Sequence, residues 1–552
     1  MKINLLRILF LSLLKFSIQL YNQGDNWAVL ACGSTGYNNY RHQADVFHLY
    51  QSLIKRGFSK NHIILFAYDD IAYHPKNPFP GEIYNRPDGP NVYEGVIIDY
   101  SYNDVNPETY LSVLKGDNQN GKLQKVLNST ENDNIFLFFS DHGIAGAIVF
   151  PNSNFLYADE LQETFKIMKN KKMYKNIIFY LESCYSGSMF NNINPDLNVY
   201  SITAASPNEQ SLATYCYPQD FVKGEEMHTC LSNEFTSNWL DDSDNRIISE
   251  ENNNNLMNNL NNEYSSHDQF VYVKDLTKNS HVQEYGNLLI GDLPITHFQS
   301  SKDFFNDEIN EEEINRDEKS KEMEEYDEIR RRIIDFDFDD EEEEEEDNEN
   351  NMFLNSENKN EDEKFDNITL INSNKFDKKN DNYNYISYII DRNKYFKKIE
   401  ESNIEKLKKE QKEENGSLRG QNKKLKIVKD SKYNLLSSYV KLFYLELDIS
   451  RSNDFKKYLD FQEEMKEIEK TKNIFDQLKF ELNIPDKIEI NQKIDYQCLR
   501  TCIQLFKEEC GINERDLEYI SLFSAECAKK DVNIPIIKDT IVNICKNRKL
   551  DY

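Results

Sequence analysis

Short apolar runs alternate with longer segments of helical spacing between residues 25 and 300. The apolar runs are rich in aromatic and branched aliphatic side chains, and we predict buried strands at residues 27–32, 62–70, 134–139 and 176–182. The intervening segments carry their apolar residues on one helical face, and we predict helices at residues 42–57, 106–116 and 158–175. Strands separated by helices predict an α/β fold with a mainly parallel sheet and right-handed crossovers.

Two of the predicted strands end in small polar turns that carry reactive side chains. The turn "SDHG" follows the third strand and contains His142, and "ESCYSG" follows the fourth strand and contains Cys184. In a parallel sheet the functional groups gather beyond the carboxyl ends of the strands, so these side chains are predicted to be neighbours. Three polar residues follow the first strand and belong to the same edge: Asn39, Arg41 and His42.

A cysteine beside a histidine is the arrangement that thiol nucleophilic catalysis requires. The thiolate attacks a carbonyl carbon, the imidazole transfers the proton, and backbone N–H groups beside the nucleophile stabilise the oxyanion. The alternative is structural, since a free cysteine is often a small buried hydrophobe and a single histidine often a core residue. The joint placement of His142 and Cys184 at neighbouring strand ends favours catalysis.

The charge of the chain is strongly negative and unevenly distributed. The formal net charge is −30 over 552 residues, which leaves no basic stripe for phosphates and excludes nucleic acid as an expected partner. Residues 303–366 alone contain 30 acidic and 8 basic side chains. Such a segment repels itself and offers little apolar surface, so we expect a disordered acidic insert. It is either a spacer or a binder of cations or basic surfaces.

The N-terminus is predicted to be a secretory signal peptide that ends near residue 22. Lys2 and Arg7 precede a short apolar stretch at residues 8–14, which is too short to span a bilayer. No later stretch is long enough to do so, and we expect no stable membrane insertion. The sequons at Asn128, Asn367 and Asn415 predict glycosylation in the secretory pathway.

The nine cysteines are compatible with disulfides in an oxidising compartment. Cys216 and Cys230 flank a loop, and the C-terminal end contains Cys498, Cys502, Cys510, Cys527 and Cys545. Spacing alone does not determine their connectivity. We expect no metal in the C-terminal cluster, because it contains no CxxC pair and no nearby histidine, and we expect no cofactor elsewhere.

Six motifs resemble, in order along the chain, those of the legumain family of caspase-like cysteine peptidases, also called asparaginyl endopeptidases or vacuolar processing enzymes. They are "YNNYRHQAD", "YDDIAYHPKNPFPGEIYNRPDG", "NVYEGV", "SDHG", "ESCYSGSM" and "SHVQEYGN". The resemblance covers about residues 25–300 and implies a caspase-like three-layer α/β/α sandwich, followed by a C-terminal α-helical prodomain. It implies a cysteine endopeptidase made as a zymogen. Such an enzyme would hydrolyse peptide bonds after asparagine, or after aspartate, and process or degrade proteins in acidic compartments.

The resemblance also implies roles for individual residues. Cys184 would be the nucleophile, His142 the general acid/base and Asn39 the residue that orients it. The N–H groups of Gly143 and Cys184 would form the oxyanion hole. The implied substrate-binding residues are Arg41, His42, Glu182, Tyr185, Ser211 and Asn233. The implied disulfides are Cys216–Cys230, Cys498–Cys527 and Cys510–Cys545. Cys502 is then the one cysteine of the C-terminal cluster without an implied disulfide partner.

Two positions depart from the family pattern and bear on specificity. The family has glutamate directly after the nucleophile, where this chain has Tyr185, and aspartate where this chain has Asn233. In the family those two acids balance the pocket arginine. Arg41 is therefore expected to be an uncompensated buried charge, which would favour aspartate before the scissile bond more than in a typical family member.

These observations predict four domains, a set of partners and a location. The domains are a signal peptide at 1–22, a caspase-like peptidase domain at 23–300, a low-complexity acidic insert at 301–435 and a disulfide-bonded helical prodomain at 436–552. The expected partners are protein or peptide substrates and the chain's own prodomain, as an intramolecular inhibitor. The expected location is the secretory pathway, with a vacuolar, lysosomal or secreted product.

Two alternatives to this function stay open. One is a catalytic subunit similar to that of the GPI transamidase, although those proteins usually carry a membrane anchor and lack the cysteine-paired prodomain. The other is a catalytically silent interaction protein that uses the acidic insert.

Overall fold

The computed structural model describes residues 24–252, 264–301, 435–436, 440–451, 455–484 and 493–550. Its strands are β1 (Asn26–Cys32), β2 (Ile63–Phe66), β3 (Asn134–Ser140), β4 (Gly143–Ile144), β5 (Ala147–Phe150), β6 (Asn154–Tyr157), β7 (Asn176–Glu182), β8 (Val199–Thr203), β9 (Leu212–Thr214), β10 (Phe221–Val222), β11 (Glu225–Glu226), β12 (Ser232–Asn233), β13 (Gln283–Gly286) and β14 (Leu435–Leu436). Its helices are α1 (Tyr40–Lys55), α2 (Pro107–Leu114), α3 (Ala158–Asn170), α4 (Glu234–Asn252), α5 (Ser266–Leu276), α6 (Leu288–Gly291), α7 (Thr296–Gln299), α8 (Val440–Arg451), α9 (Phe455–Glu481), α10 (Tyr496–Cys510), α11 (Leu517–Glu526) and α12 (Ile534–Leu550).

A six-stranded sheet lies at the centre of the described residues between 24 and 301, which we call the sheet region. The strand order is β13-β8-β7-β3-β1-β2. Neighbouring strands are parallel except at the edge, where β13 pairs antiparallel with β8. Ser140 at the end of β3 pairs with Glu182 at the end of β7, so the two strands finish at the same level.

The central strands are apolar on both faces because helices cover both. In β3, Phe136 and Phe138 pack into a buried cluster with residues of α1, α4 and α5. The alternate residues Ile135 and Leu137 pack into a second cluster with residues of α2 and α3. Full burial of each such side chain contributes about 1.5–3 kcal/mol. The three layers confirm the predicted α/β caspase-like fold.

The structure adds elements that the sequence pattern did not indicate. The strands β4, β5 and β6 form a small antiparallel sheet between His142 and α3. Strands of two to four residues carry too little alternation to be recognised from a sequence. The predicted strand at residues 62–70 is shorter in the structure and ends at Phe66, and Asp69 has a left-handed φ of 69°.

The described residues between 435 and 550 are mainly helical, and we call them the helical region. Disulfides join Cys498 to Cys527 and Cys510 to Cys545, and the sheet region contains a third, Cys216–Cys230. These are the pairs that the resemblance implied. The helical region packs on the small sheet through one shared apolar cluster, which includes Ile144, Ala145, Ala147, Leu499, Phe506 and Phe523.

A second contact joins the helical region to the loop that Cys216–Cys230 closes. The strand β14 pairs antiparallel with β9, next to that loop. Tyr444 of α8 accepts a hydrogen bond from the N–H of Tyr217 at 2.9 Å and donates one to Asp220 Oδ2 at 2.9 Å. The two regions therefore share both an apolar and a polar interface.

Two sequence predictions concern segments outside the described residues. The predicted signal peptide, 1–22, lies outside them, as does almost all of the acidic insert at 301–435. Of the three sequons, Asn128 is described and exposed. Within the described ranges, no helix is long and apolar enough to cross a membrane.

Candidate active site

The ends of β1, β3 and β7 bring the predicted catalytic residues to one edge of the sheet. These three strands are adjacent and parallel, and their last residues pair in register, Cys32 with Ser140 and Ser140 with Glu182. His142 lies two residues beyond β3, and Cys184 two residues beyond β7. A 3-10 turn at Tyr37–Asn39 follows β1 and leads into α1.

Asn39 holds the imidazole of His142. The distance from His142 Nε2 to Asn39 Oδ1 is 2.9 Å, and both side chains are buried. An amide oxygen can only accept, so this contact places the ring proton on Nε2 and leaves Nδ1 able to act as a base. Asn39 is itself fixed, because its Nδ2 donates to the carbonyl oxygen of Thr35 at 3.0 Å.

Gly143 allows the histidine turn to approach the cysteine turn. A Cβ atom at this position would lie 2.4 Å from the carbonyl oxygen of Cys184 and 2.9 Å from Ser183 Oγ. Any other residue would push the two turns apart. The backbones that carry His142 and Cys184 are therefore in direct contact at the ends of the neighbouring strands β3 and β7.

Cys184 is a buried free thiol that faces Ser211. Its Sγ lies 4.0 Å from both Ser211 Oγ and the Ser211 carbonyl oxygen. Burial raises the pKa of Cys184 to about 11, so the thiol is protonated in this arrangement. The residue that follows, Tyr185, adopts a left-handed backbone with a φ of 56°.

The helical region places a carboxylate directly on the histidine. Glu514 Oε1 lies 3.0 Å from His142 Nε2, and Glu514 Oε2 accepts a hydrogen bond from Asn39 Nδ2 at 3.2 Å. Desolvation opposes ionisation of Glu514, but the charge of His142, hydrogen bonds from His142 and Asn39, and the charge of Arg41 lower its pKa to about 2. The carboxylate is therefore ionised, and it shares the ring nitrogen that Asn39 orients.

Arg41 is fully buried but not uncompensated, so that expectation is wrong. Its Nε donates to Asn233 Oδ1 at 3.1 Å and its Nη1 donates to the carbonyl oxygen of Asn38 at 3.0 Å. Asn233 Nδ2 in turn donates to Asp45 Oδ2 at 2.7 Å. The negative charges of Glu514, Asp141 and Asp45 also act on Arg41. The chain thus compensates the guanidinium without the two acids of the family pattern.

The other predicted substrate-binding residues lie in two places. His42 lies beside Asn233, and its Nδ1 is 2.9 Å from Ser140 Oγ. Its other ring nitrogen, Nε2, is buried and has no hydrogen-bond partner among the described residues. Glu182 accepts hydrogen bonds from the N–H and the hydroxyl of Thr236 through one oxygen, and a hydrogen bond with Ser211 helps to lower its pKa against the effect of burial. Tyr185 instead packs against the apolar cluster of the helical region.

Sequence reasoning missed two residues of this site. Asp45 lies one helical turn after Arg41 on α1, and this spacing was a usable signal for a charge on the same helix face. Glu514 had no such signal, because its contact with Asn39 spans 475 positions of the chain. Only the packing of the helical region identifies it.

Among the described residues, two groups of side chains bring potential metal-ligand atoms within 4.8 Å of one another. One is His42, Asp141 and His142, and the other is Cys498, Cys502 and Cys527. In the second group Cys498 and Cys527 are already joined in a disulfide, which leaves Cys502 as the one thiol of the three. In the first group His142 already contacts Asn39 and Glu514. We therefore base no step of the chemistry on a metal.

The fold and the site define the class of protein. A mostly parallel sheet lies between two layers of helices and carries a cysteine and a histidine at neighbouring strand ends. This is the arrangement of the caspase-like cysteine peptidases. Residues 26–301 match the model of the peptidase C13 family, and the chain belongs to this family.

Similar proteins come from animals and plants. The chain is 41% identical to legumain of Mus musculus over 282 residues, which are 50% of this chain and 60% of that protein. It is 39% identical to a hemoglobinase of Schistosoma japonicum over 301 residues, 54% of this chain and 66% of that protein. It is 42% identical to legumain of Canavalia ensiformis over 278 residues, 50% of this chain and 56% of that protein. These matches span just over half to two thirds of each relative's length.

Proposed function

We propose that this protein is a cysteine endopeptidase in which Cys184 is the nucleophile and His142 the general acid/base. The observation that carries the proposal is the hydrogen bond of 2.9 Å between His142 and Asn39 at the strand end beside Cys184. This bond orients the ring and fixes its proton, which is the supporting role that a third residue has in a catalytic triad. His142 would take the thiol proton, and the thiolate would attack the carbonyl carbon of the peptide. The peptide C–N bond would break as His142 protonates the leaving amine, and a water molecule, deprotonated by His142, would then hydrolyse the thioester and release Cys184.

The backbone beside the nucleophile supplies candidate oxyanion donors. The turns of Gly143 and Cys184 are in contact, and we propose that their N–H groups stabilise the oxyanion. Substitution of Gly143 would separate the turns. We therefore assign Gly143 a close-approach role as well as a donor role.

We propose that the described arrangement is the latent form of a zymogen and that the helical region is its inhibitory prodomain. Glu514 competes with Asn39 for the Nε2 atom of His142, and the Cys184 thiol is protonated at neutral pH because burial raises its pKa. Ser524 Oγ donates to the carbonyl oxygen of Ala145 at 2.6 Å, three residues after His142. A peptide substrate would have to displace these groups to reach Cys184.

The proposed substrates are proteins and peptides with asparagine or aspartate before the scissile bond. Arg41 provides a guanidinium for the side-chain oxygen of either residue. Glu182, at the end of β7, belongs to the proposed pocket as well. His42, Ser211 and Asn233 complete the proposed pocket. The relatives named legumain and hemoglobinase support this class of reaction.

The proposed location is an acidic compartment of the secretory pathway, either vacuolar or lysosomal. The predicted signal peptide (1–22) and the three disulfides support it. The predicted boundaries at residues 300 and 435 remain part of the proposal, with the acidic insert as the segment that is cut on activation.

A thiol-directed probe and a peptide substrate test the proposal together. After acid treatment, the full-length protein should react with an active-site thiol probe at Cys184 and should hydrolyse asparagine-containing peptides. The described residues contain two other free cysteines, Cys32 and Cys502, so Cys502→Ala is a matched control that should keep both signals. Cys184→Ala should lose both. Equal peptide hydrolysis by Cys184→Ala, in a sample free of other peptidases, would refute the proposal.

A further inference from the structure

The helical region contains a free thiol that touches a disulfide. Cys502 Sγ lies 4.0 Å from Cys527 Sγ, and Cys527 is joined to Cys498. The three sulfur atoms lie within 4.8 Å of one another, and all three side chains are buried. The proposed catalytic mechanism does not use Cys502, and the implied disulfides leave this residue without a partner.

The helix α10 presents Cys498 and Cys502 to the same neighbour. The two residues are four positions apart, which puts their side chains on one face of the helix, one turn from each other. Cys527 directly follows α11 and belongs to the same buried apolar cluster as both of them. Cys527 therefore has two cysteines of α10 close to its sulfur atom.

The Cys498–Cys527 disulfide closes a helical hairpin that reaches the candidate active site. The helices α10 and α11 are joined by residues 511–516, and this connection carries Glu514, which contacts His142. The disulfide spans 29 positions, whereas a bond from Cys502 to Cys527 would span 25. Loop-closure entropy depends on the logarithm of the span, so the two bonds would restrain the unfolded hairpin almost equally.

We propose that Cys502 is an exchange site for this disulfide, so that the helical region can carry Cys502–Cys527 in place of Cys498–Cys527. The Cys502 thiolate attacks Cys527 Sγ, the new bond forms as the old one breaks, and Cys498 leaves as a thiolate. Cys502 gives up one proton and Cys498 takes up one. One disulfide and one thiol are present before and after, so no oxidant or reductant is consumed. This inference does not depend on the proposed peptidase function.

The recorded contact indicates which sulfur is attacked. Cys502 Sγ and Cys527 Sγ are 4.0 Å apart, and a disulfide has a length of about 2.05 Å, so rotation of the two side chains has to supply about 2 Å. Attack on the other sulfur would instead join Cys502 to Cys498 within α10 and would release α11. That product would open the hairpin, whereas Cys502–Cys527 keeps it closed.

The surroundings of Cys502 control how fast the exchange runs. Burial, with the charge of Glu526 and against that of Lys538, raises the pKa of Cys502 to about 12. The third titratable group that faces this thiol is Tyr157 of β6, whose own pKa is raised by burial. Because the thiolate is the attacking species, exchange in the closed helical region should be slow at neutral pH and faster as the pH rises.

The same geometry makes Cys502 a resolving cysteine when a small thiol attacks the disulfide. A small thiolate that attacks Cys527 displaces Cys498 and leaves a mixed disulfide on Cys527. Cys502 then attacks the same sulfur, displaces the small thiol and forms Cys502–Cys527. The small thiol is regenerated, and the hairpin stays closed.

The amino-acid sequence allows the two disulfides to be told apart by peptide mapping. Trypsin cuts after Arg500, which lies between Cys498 and Cys502. Once the free thiols have been alkylated, digestion gives Cys498, Cys502 and Cys527 each in a peptide of its own, namely residues 494–500, 501–507 and 516–529.

The test uses the full-length protein with Cys184→Ala, which removes the proposed nucleophile and with it self-cleavage. The protein is incubated with reduced glutathione near about pH 8.5, the ordinary pKa of a cysteine thiol, and is then alkylated and digested. The Cys527 peptide should be found linked to the Cys498 peptide and, increasingly with time, to the Cys502 peptide. A Cys498 link alone at all times, or a link between Cys498 and Cys502, would overturn the proposal.

A pair of serine variants tests the geometry without added thiol. Cys498→Ser should still carry a disulfide, Cys502–Cys527, and Cys527 should not be alkylated. Cys510→Ser is the matched control, because Cys502 makes its sulfur contact with Cys527 and the former partner Cys545 should be alkylated. Alkylation of Cys527 in the first variant to the same extent as Cys545 in the second would contradict the proposal.

A third variant tests the resolving role. In the presence of glutathione, Cys502→Ala should accumulate about twofold or more of the mixed disulfide on Cys527, because one of the two thiols that can displace glutathione is lost. The reference is the protein that retains Cys502, and the mass of the Cys527 peptide gives the amount. Equal amounts of mixed disulfide would show that Cys502 is only a small buried side chain in this cluster.

Discussion

The sheet region and the helical region are held together in different ways. The sheet region has a core in which β1, β3 and β7 are almost completely buried between two helical layers, and its site residues lie on turns that this core fixes. The helical region is tied by two disulfides across α10, α11 and α12 and reaches the site through single side chains. The sheet region therefore carries the proposed catalytic residues, and the helical region contacts them through side chains such as Glu514.

The interface between the two regions combines neutral and charged contacts. The Ala145 N–H donates to Ser521 Oγ at 3.2 Å, and Ser524 Oγ donates to the Ala145 carbonyl oxygen at 2.6 Å. These serines and the apolar cluster around them are buried. Glu514 differs, since 46% of its side chain is exposed. We infer that the neutral contacts contribute most of the free energy that holds the helical region on the sheet region. The Glu514 carboxylate makes this binding dependent on pH.

The largest expected effect is on catalysis in the sheet region. Cys184→Ala and His142→Ala should each lower peptide turnover by about 10³-fold or more, because either change removes the nucleophile or its base. Both residues lie on turns beyond the strands, so the thermal unfolding transition should stay close to that of the unsubstituted protein. A turnover within about tenfold of the unsubstituted value would contradict the assignment.

The second effect should be confined to the helical region. Replacing both Cys510 and Cys545 by serine opens a link across 35 positions and should lower the free energy of unfolding of this region by about 3–4 kcal/mol. Hydrogen exchange of backbone amides in α10 and α12 should become faster while that in β3 is unchanged. The matched control replaces Cys216 and Cys230 by serine, because this disulfide spans 14 positions in the sheet region. Equal acceleration in β3 would show that the regions are not separable.

The third effect concerns the neutral contacts between the helical region and Ala145. Ser521→Ala with Ser524→Ala removes two buried hydrogen bonds to Ala145, worth about 1 kcal/mol each, and should raise the neutral-pH activity of the uncleaved full-length protein about fivefold or more. Thr501→Ala is the control, because its hydroxyl donates to Gln497 within α10. An activity equal to that of the unsubstituted protein would show that these hydrogen bonds do not hold the helical region on the sheet region.

The smallest effect at neutral pH should come from the charge. Glu514→Gln should raise the activity of the uncleaved protein about two- to fivefold, because a half-exposed ion pair contributes at most about 1 kcal/mol. Glu508→Gln, on the exposed side of α10, should have no effect.

The pH dependence of the Glu514→Gln variant identifies its cause. The pKa of Glu514 is lowered to about 2 in the closed form, so its contribution is present above the ordinary glutamate pKa of about 4.3 and is lost as the pH falls towards about 2. In a Cys184→Ala background, hydrogen exchange at Ala145 should therefore be faster with Glu514→Gln than without it above about pH 4.3, and this difference should vanish near about pH 2. A difference that persists unchanged to about pH 2 would show that Glu514 acts through its shape and not its charge.

Much of this architecture could be predicted from local pattern. The alternation of apolar runs and helical segments located four sheet strands and three helices, because each run must be buried and each helix must cover one face. The small polar turns after β3 and β7 pointed to His142 and Cys184, since the geometry of a parallel sheet collects such ends at one edge. The strands β4, β5 and β6 were too short to be recognised.

The charge state of the pocket could not be predicted in the same way. The sequence indicated that Asn233 and Tyr185 replace acids, but it did not indicate what takes their place. The structure puts Asp45 behind Asn233 and turns Tyr185 towards the helical region, while Glu514 comes from a segment far along the chain. These are contacts between side chains on separate elements, and no periodicity of the chain encodes them.

The sequence by itself determined the class of fold, the residues at the strand ends and the chemistry open to them. Those features depend on short-range patterns, namely which side chains must be buried and where a strand must stop. Only the tertiary structure decided which groups compensate Arg41 and which group occupies His142. Electrostatic compensation in a buried site depends on distances of about 3–4 Å between residues that are remote in the chain, and those distances exist only after the helical region has packed against the sheet region.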